Sequence, residues 1–366
     1  MPIYMDVHIV PGVKASDVAH AHRLDLIHEG EYDCKCMTYW IDETRESIFC
    51  LVEAPNKEAV EGMHSKAHGL IPNRIIEVDS SLVQSFLGRI YDPTDAETTE
   101  DGLKIFSDSS FRILLVSKTT DPVLLKHMLG AAKAGELLGF QNTVIRKKMQ
   151  QFEGREIEHG GDGFIISFNA ASKALACALA ILEAIPPEQG DLAGFKIGIN
   201  AGEPVETSNM LFGDTLQLAW NICSMAGNLQ IALTNAVKEL VAKDYLQNKK
   251  NIFFTVATQD EKLLKSLFHS LEDNWQKTEF DLEDYCKAMA MSKSQLYRKT
   301  ISLTGLSPNL LLKDFRLDKA KELMKKKPYN ISQITFESGF SSPSYFTKCF
   351  KKKYGLLPVA FLDLLQ

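Results

Sequence analysis

The chain has 366 residues, 45% of them hydrophobic and 24% charged, with a formal net charge of −6. That is enough apolar sequence for more than one buried core and excludes a disordered polyelectrolyte, while the negative balance argues against attraction of the whole chain to nucleic acid. No run approaches the roughly 18 apolar residues of a membrane span, and MPIYMDVHIVPGVK lacks the basic-then-apolar order of a secretion signal, so a cytoplasmic protein without membrane contact is expected.

In chain order, IYMDVHIV alternates as a strand does and SDVAHAHRLDLIHEG carries a helical pattern. CKCMTYWID and SIFCLVEAP read as two more strands, NKEAVEGMHSKAHGL as a helix and RIIEVD as a last strand. The order is βαββαβ, a ferredoxin-like unit over residues 1–80. Both helices lie on one sheet face, so the other face needs a cover, and a homodimer is expected to supply it. Cys34 and Cys36 are two apart on a strand; with seven cysteines and no zinc-finger or disulfide spacing, they read as core thiols.

YDPTDAETTEDG is acidic and poor in apolar residues, marking a linker at 91–104. Residues 105–257 then alternate again: FRILLVSK is a strand, Pro122 to Gln151 mostly helix, and REIEHGGDGFIISF a hairpin. ASKALACALAIL is a helix, FKIGINAGEPVE a strand, GDTLQLAWNICSMA a helix and LQIALTN a strand. From residue 258 to 366 the period is helical throughout, and between Met291 and Gln366 there are 14 Lys/Arg against 5 Asp/Glu, a basic block on an acidic chain.

Within that block, ISQITFESGFSSPSYFTKCFKKKYGLLP places a glycine turn at Gly339 between two short helices. A serine cap at Ser341 or Ser342 and Pro343 open the second of them. This is a helix-turn-helix, and DLEDYCKAMAMSKSQLYRKTISLTG, with Ser292 as cap, is another. SPNLLLKDFRLDKAKELMKKK joins them as a helix of about 20 residues, roughly 30 Å long, which suits successive major-groove turns about 34 Å apart. The last hundred residues resemble the AraC-type DNA-binding domain. The resemblance places base-reading positions at Ser294, Tyr297 and Arg298 and at Ser344, Tyr345 and Lys348. Lys351, Lys352 and Lys353 are placed to meet phosphates of double-stranded DNA.

The Gly-Asp-Gly hairpin, KIGINAGEPV and LFGDTLQLAWNICSMAG together resemble a class III nucleotidyl cyclase domain, an α/β sandwich. Such enzymes hold two metals with carboxylates on adjacent strands and steady the transition state from a late helix. Asp162 matches one carboxylate, but the pattern puts Ser117 at the other, Gln217 and Asn221 at the transition-state Asn and Arg, and Met210 where a base reader is expected. Glu158 could read a guanine edge. The implied domain is degenerate, with no catalytic residues, although a small ligand could still bind it.

Six of the nine histidines fall in the first unit. Asp6 and His8 share a strand face; His22 with Asp25, and His64 with His68, share helix faces. MDVH, AHRLDL, FCLVEAP and MHSKAHGL resemble a small ferredoxin-like family that binds nickel. The resemblance implies His8, His22, Asp25, Glu53, His64 and His68 as ligands of nickel or another divalent transition metal. The expected protein is multidomain, α+β followed by an all-α double helix-turn-helix, and regulates transcription. The alternatives are an active cyclase with a DNA-binding anchor and a metal store.

Overall fold

The computed structural model describes the chain apart from residues 101, 161, 207, 242–250, 327–328 and 366, so Gly161 of the Gly-Asp-Gly turn lies outside the described residues. β1 (Ile3–Ile9), α1 (Ala15–His28), β2 (Lys35–Asp42), β3 (Ser47–Glu53), α2 (Lys57–Ala67) and β4 (Arg74–Val78) form a four-stranded sheet in the order β2-β3-β1-β4. Neighbouring strands are antiparallel, the βαββαβ order expected. One face buries Val18, Tyr39 and Ile41 with α1 and Val52, Val60 and Met63 with α2. Cys34 and Cys36 are buried free thiols in that layer, and Cys36 Sγ lies 3.5 Å from Met63 Sδ.

The other face does not wait for a second copy. α3 (Ser80–Leu87), which the sequence reading omitted, lays Val83, Phe86 and Leu87 over Met5, Phe49, Leu51 and Ile76. Val205, Leu211 and Phe212 of the middle domain complete the same core. Arg74 reaches across to the carbonyls of Glu206 (2.7 Å) and Ser208 (2.9 Å). The linker is also tied down: β5 (Glu97–Thr98) and β6 (Lys104–Ile105) pair as a ribbon, and Phe106 stacks on Tyr39 at 4.0 Å between ring centres.

The middle domain runs β7 (Arg112–Lys118), α4 (Pro122–Leu129), α5 (Ala131–Gln151), β8 (Arg155–His159), β9 (Gly163–Phe168), α6 (Ala171–Ala184) and α7 (Pro187–Ala193). It continues with β10 (Lys196–Gly202), α8 (Gly213–Met225), β11 (Ile231–Leu233), α9 (Asn235–Glu239) and β12 (Phe253–Thr255). Its sheet has the order β12-β11-β10-β7-β9-β8. The helix expected from Pro122 to Gln151 is two helices, because Gly130 turns to φ 80° and breaks the ladder. α5 and α6 cover one sheet face over Leu115, Ile166 and Ile199, and α8 lies on the other against Val116 and Ile165. α8 comes so near β10 that a Cβ on Gly198 would meet the Ala219 carbonyl oxygen at 2.4 Å.

The rest is helical: α10 (Thr258–Asn274), α11 (Leu282–Ala288), α12 (Lys293–Thr304), α13 (Pro308–Lys326), α14 (Ile331–Glu337), α15 (Pro343–Tyr354) and α16 (Pro358–Asp363). α13 belongs to two cores: Leu311 and Leu312 pack with Leu296 and Tyr285, and Leu317, Ala320 and Met324 with Phe346 and Phe350. The middle domain enters both ends, through Val123 and Leu124 of α4 in the second core and α8 residues packed near Leu303 of α12. No helix among the described residues is long and apolar enough to cross a membrane.

Candidate nucleic-acid interface and metal centre

Each helix-turn-helix is built by its caps. Ser292 accepts from Gln295 N and its amide is met by the Gln295 side chain, a closed capping box that starts α12, and Gly305 ends the helix at φ 72°. Ser342 accepts from Tyr345 N, Pro343 fills the first turn of α15, and Gly355 ends it at φ 81°. Ser342, not Ser341, is therefore the cap. Leu296 and Phe346 point inward, leaving Ser294, Tyr297, Arg298, Ser344, Tyr345 and Lys348 exposed on the two helices. Tyr297 and Tyr345 line one cleft of about 670 Å³ together with Lys313 and Arg316, and with Lys293 paired to Glu283 at 2.8 Å, so the two units share one polar face. Lys351 and Lys352 are exposed. Lys353 departs from expectation. Its ammonium bonds the Asp314 carbonyl at 2.8 Å and Asp318 at 3.1 Å, which ties α15 to α13 and removes it from the phosphate-facing set.

In the N-terminal domain the antiparallel register of β1 and β3 puts Cys50 opposite Asp6. Nε2 of His64 lies 3.1 Å from Asp6 and its Nδ1 3.0 Å from Asp25, so one imidazole bridges two buried carboxylates. His8 Nε2 is 3.1 Å from Asp6 and His68 Nε2 3.2 Å from Asp25. Asp6, His8, Cys50 and His64 offer ligand atoms within 4.8 Å of one another, as do Asp25, His64 and His68. A cavity of about 20 Å³, room for one water or ion, is lined by His8, His22, Asp25, Cys50 and His68.

The electrostatics follow from burial. Burial works against ionising Asp6, but the charge and hydrogen bond of His64, with His8 behind them, hold its carboxyl well below the usual range. Burial alone would pull the His64 imidazole down, yet Asp6 and Asp25 push it up to about 10. Two buried carboxylates thus depend on a shared proton for compensation. A divalent cation would supply two positive charges against the two carboxylates where the imidazolium supplies one, and imidazole, carboxylate and thiol suit the borderline transition metals. His8 Nδ1 is buried without a hydrogen-bond partner, a further donor atom held out of water.

Not every expected ligand joins this group. His22 lines the cavity, but its Nε2 faces Asp92 at 3.4 Å, an acid contributed by the linker. Glu53 lies elsewhere: three residues beyond Cys50 on β3 it faces the other way, at the chain start, 3.3 Å from the Met1 amino group. Asp6 and Cys50 take part in its place.

In the middle domain Asp162, Gln217 and Asn221 line one cleft of about 540 Å³ with Trp220 and Lys118. The Nδ2 of Asn221 is buried there with no partner among the described residues. Ser117 is absent from that wall; its hydroxyl accepts from Phe164 N at 3.3 Å inside the sheet. Met210 and Glu158 are exposed. Asp314, Asp318 and Lys353 of the C-terminal region close the opposite side.

Residues 285–363 match the family described as helix-turn-helix domain, and residues 4–78 the family of nickel responsive proteins similar to SCO4226. Histidine kinase P4 of Formosa agariphila is 38% identical over 104 residues, which are 28% of this chain and 8% of that protein. The HTH-type transcriptional regulator MtrA of Neisseria gonorrhoeae is 29% identical over 133 residues, 35% of this chain and 42% of that one. The chain therefore spans less than half of either relative. The guanylyl cyclase Cya2 is 20% identical with a TM-score of 0.32, covering 36% of this chain and 78% of that structure. The two family matches fall on the first and last parts of the chain, residues 4–78 and 285–363, and the central α/β domain lies between them.

Proposed function

We propose that the chain is a sequence-specific transcription regulator of the AraC type that binds double-stranded DNA through α12 and α15, and that it is not an enzyme. The observation that carries this reading is the pair of capped helices whose exposed Tyr297 and Tyr345 open onto one cleft, with Arg298, Lys348, Lys351 and Lys352 exposed on the same two helices. Arg298 and Lys348 read bases, and Lys351 and Lys352 hold phosphates. The test is an electrophoretic shift with the full chain on a site taken from its genome-wide binding profile. Arg298→Ala should cost about 1–3 kcal/mol and relax preference at one base pair, while Lys352→Ala weakens all sequences alike and flattens the salt slope. Both changes acting equally on specific and random DNA would overturn the assignment.

The N-terminal domain is proposed to bind a divalent transition metal, nickel first, through His8, His64, His68 and Asp25 with Asp6 and Cys50. The bridged His64 between two buried carboxylates supports this, as does the ion-sized cavity. Bound metal supplies the positive charge those carboxylates require; the side chains position it and keep water out. Calorimetry of the full chain with nickel should show saturable binding that His64→Ala abolishes and Glu53→Ala leaves intact. The unpartnered Asn221 amide favours a small ligand in the Asp162 cleft, whereas the lack of a second strand carboxylate at Ser117 opposes turnover of a nucleotide.

A further inference from the structure

A third cleft, of about 830 Å³, opens between the N-terminal and middle domains. Strand register puts it at the Arg112 and Phe168 end of the six-stranded sheet, away from Lys118 and Asp162. Four guanidinium groups wall it: Arg45 from the β2–β3 turn, Arg89 after α3, Arg112 at the start of β7 and Arg155 at the start of β8.

Their partners can be followed one by one. Arg45 is held by Asp42 at 2.7 Å and Arg89 faces Asp108 at 3.5 Å. The third acid of the wall, Glu153, is taken by Lys173 at 2.7 Å. Arg112 donates to main-chain carbonyls alone, those of Phe86, Leu87, Ser109 and Phe111. Arg155 has no acceptor among the described residues; it lies across Gly88, where any Cβ would strike its guanidinium. Neither guanidinium is in an ion pair among the described residues, although the Asp108 carboxylate of the same wall acts on Arg112 from a distance. In keeping with this, burial and the neighbouring Arg155 pull the Arg112 guanidinium down to about 10.

Such a pair repels itself and attracts an anion, and the guanidinium fork matches phosphate and carboxylate oxygens two at a time. The remaining wall is rich in donors. Ser172 lines it, and α6 begins there on Ala170, whose side chain offers its first N–H groups no oxygen. More donors are available than a two-oxygen carboxylate can engage, and the volume is that of a small-molecule site, not of a lone ion.

We propose that this cleft binds a phosphorylated small molecule, its phosphate held by Arg155 with Arg112 behind it and its body reaching Arg45. Because the wall draws on both domains, such a ligand bridges the metal-type domain to the middle domain. The probe is inorganic phosphate, titrated into the full chain at fixed ionic strength and followed by calorimetry. One saturable site per chain is expected, with affinity reduced about ten-fold or more in Arg155→Ala and unchanged in Lys352→Ala. Arg155 is exposed, so its loss leaves the fold intact. Absence of saturation overturns the proposal. So does binding that survives Arg155→Ala, or binding lost in Lys352→Ala, which would place the anion on the DNA face. A response to citrate without one to phosphate rejects the phosphate assignment.

Discussion

Gly339 stands at φ +77° in the turn before α15, and a Cβ there would come within 2.1 Å of the Trp275 carbonyl oxygen. The turn glycine was legible from the sequence because turn chemistry is local; the close approach of Trp275, 64 positions earlier, was not. Gly339→Ala meets both costs, an unfavourable backbone region and a main-chain clash, and should lower stability by about 2–4 kcal/mol in urea denaturation. A loss below about 0.5 kcal/mol would show that the turn relaxes freely. The metal centre divides the same way. Asp6 with His8, and His64 with His68, could be paired from strand and helix periods. Cys50 reaches Asp6 only through the register of β1 with β3, and Asp92 reaches His22 only because the linker folds back. Glu53 was implied by the resemblance alone, and its odd spacing from Cys50 on β3 turns it away from the cluster.

Among elements, the helices of the C-terminal region were the most legible, since cap, proline and glycine signals sit within a few residues of each boundary. Ser342→Ala removes an oxygen from the first turn of α15 and should cost about 1 kcal/mol, with Ser342→Asp restoring most of it. The measurement is the denaturation midpoint, and equal stability of all three chains would mean that Pro343 and packing alone start the helix. α3 was missed for the opposite reason. It is short, follows directly on β4, and has a role only because the sheet face beneath it is apolar. That face had suggested a homodimer; α3 and the loop from Val205 to Phe212 cover it within one chain. α13 was readable as a spacer, and its 19 residues give about 28 Å of length. That it also walls the Asp162 cleft and holds Lys353 is a tertiary fact.

Across the whole molecule the domains share cores instead of hanging on linkers. The middle domain completes the N-terminal core at Phe212 and enters the second helix-turn-helix core at Val123 and Leu124. Asp121, the cap of α4, fixes that last junction: it accepts from Val123 N at 2.9 Å and from Lys325 at 2.6 Å, with Lys321 at 3.6 Å. Burial opposes its ionisation, but the hydrogen bond from Lys325 and the charges of both lysines outweigh burial and hold its carboxyl below the usual value. A carboxyl whose folded value is depressed contributes stability above its unfolded value, near pH 4, and loses that contribution as pH falls through the folded value. Asp121→Asn keeps a helix cap while removing the charge, so it isolates the ion pair from the cap. It should cost about 1.5–3 kcal/mol at about pH 7, and its deficit against the native chain should shrink once the pH drops below about 4. Urea midpoints of both chains across that range decide the matter. A deficit that is constant with pH would assign the junction to apolar packing by Val123 and Leu124, and no deficit near neutrality would leave Lys321 and Lys325 free to serve the DNA face instead.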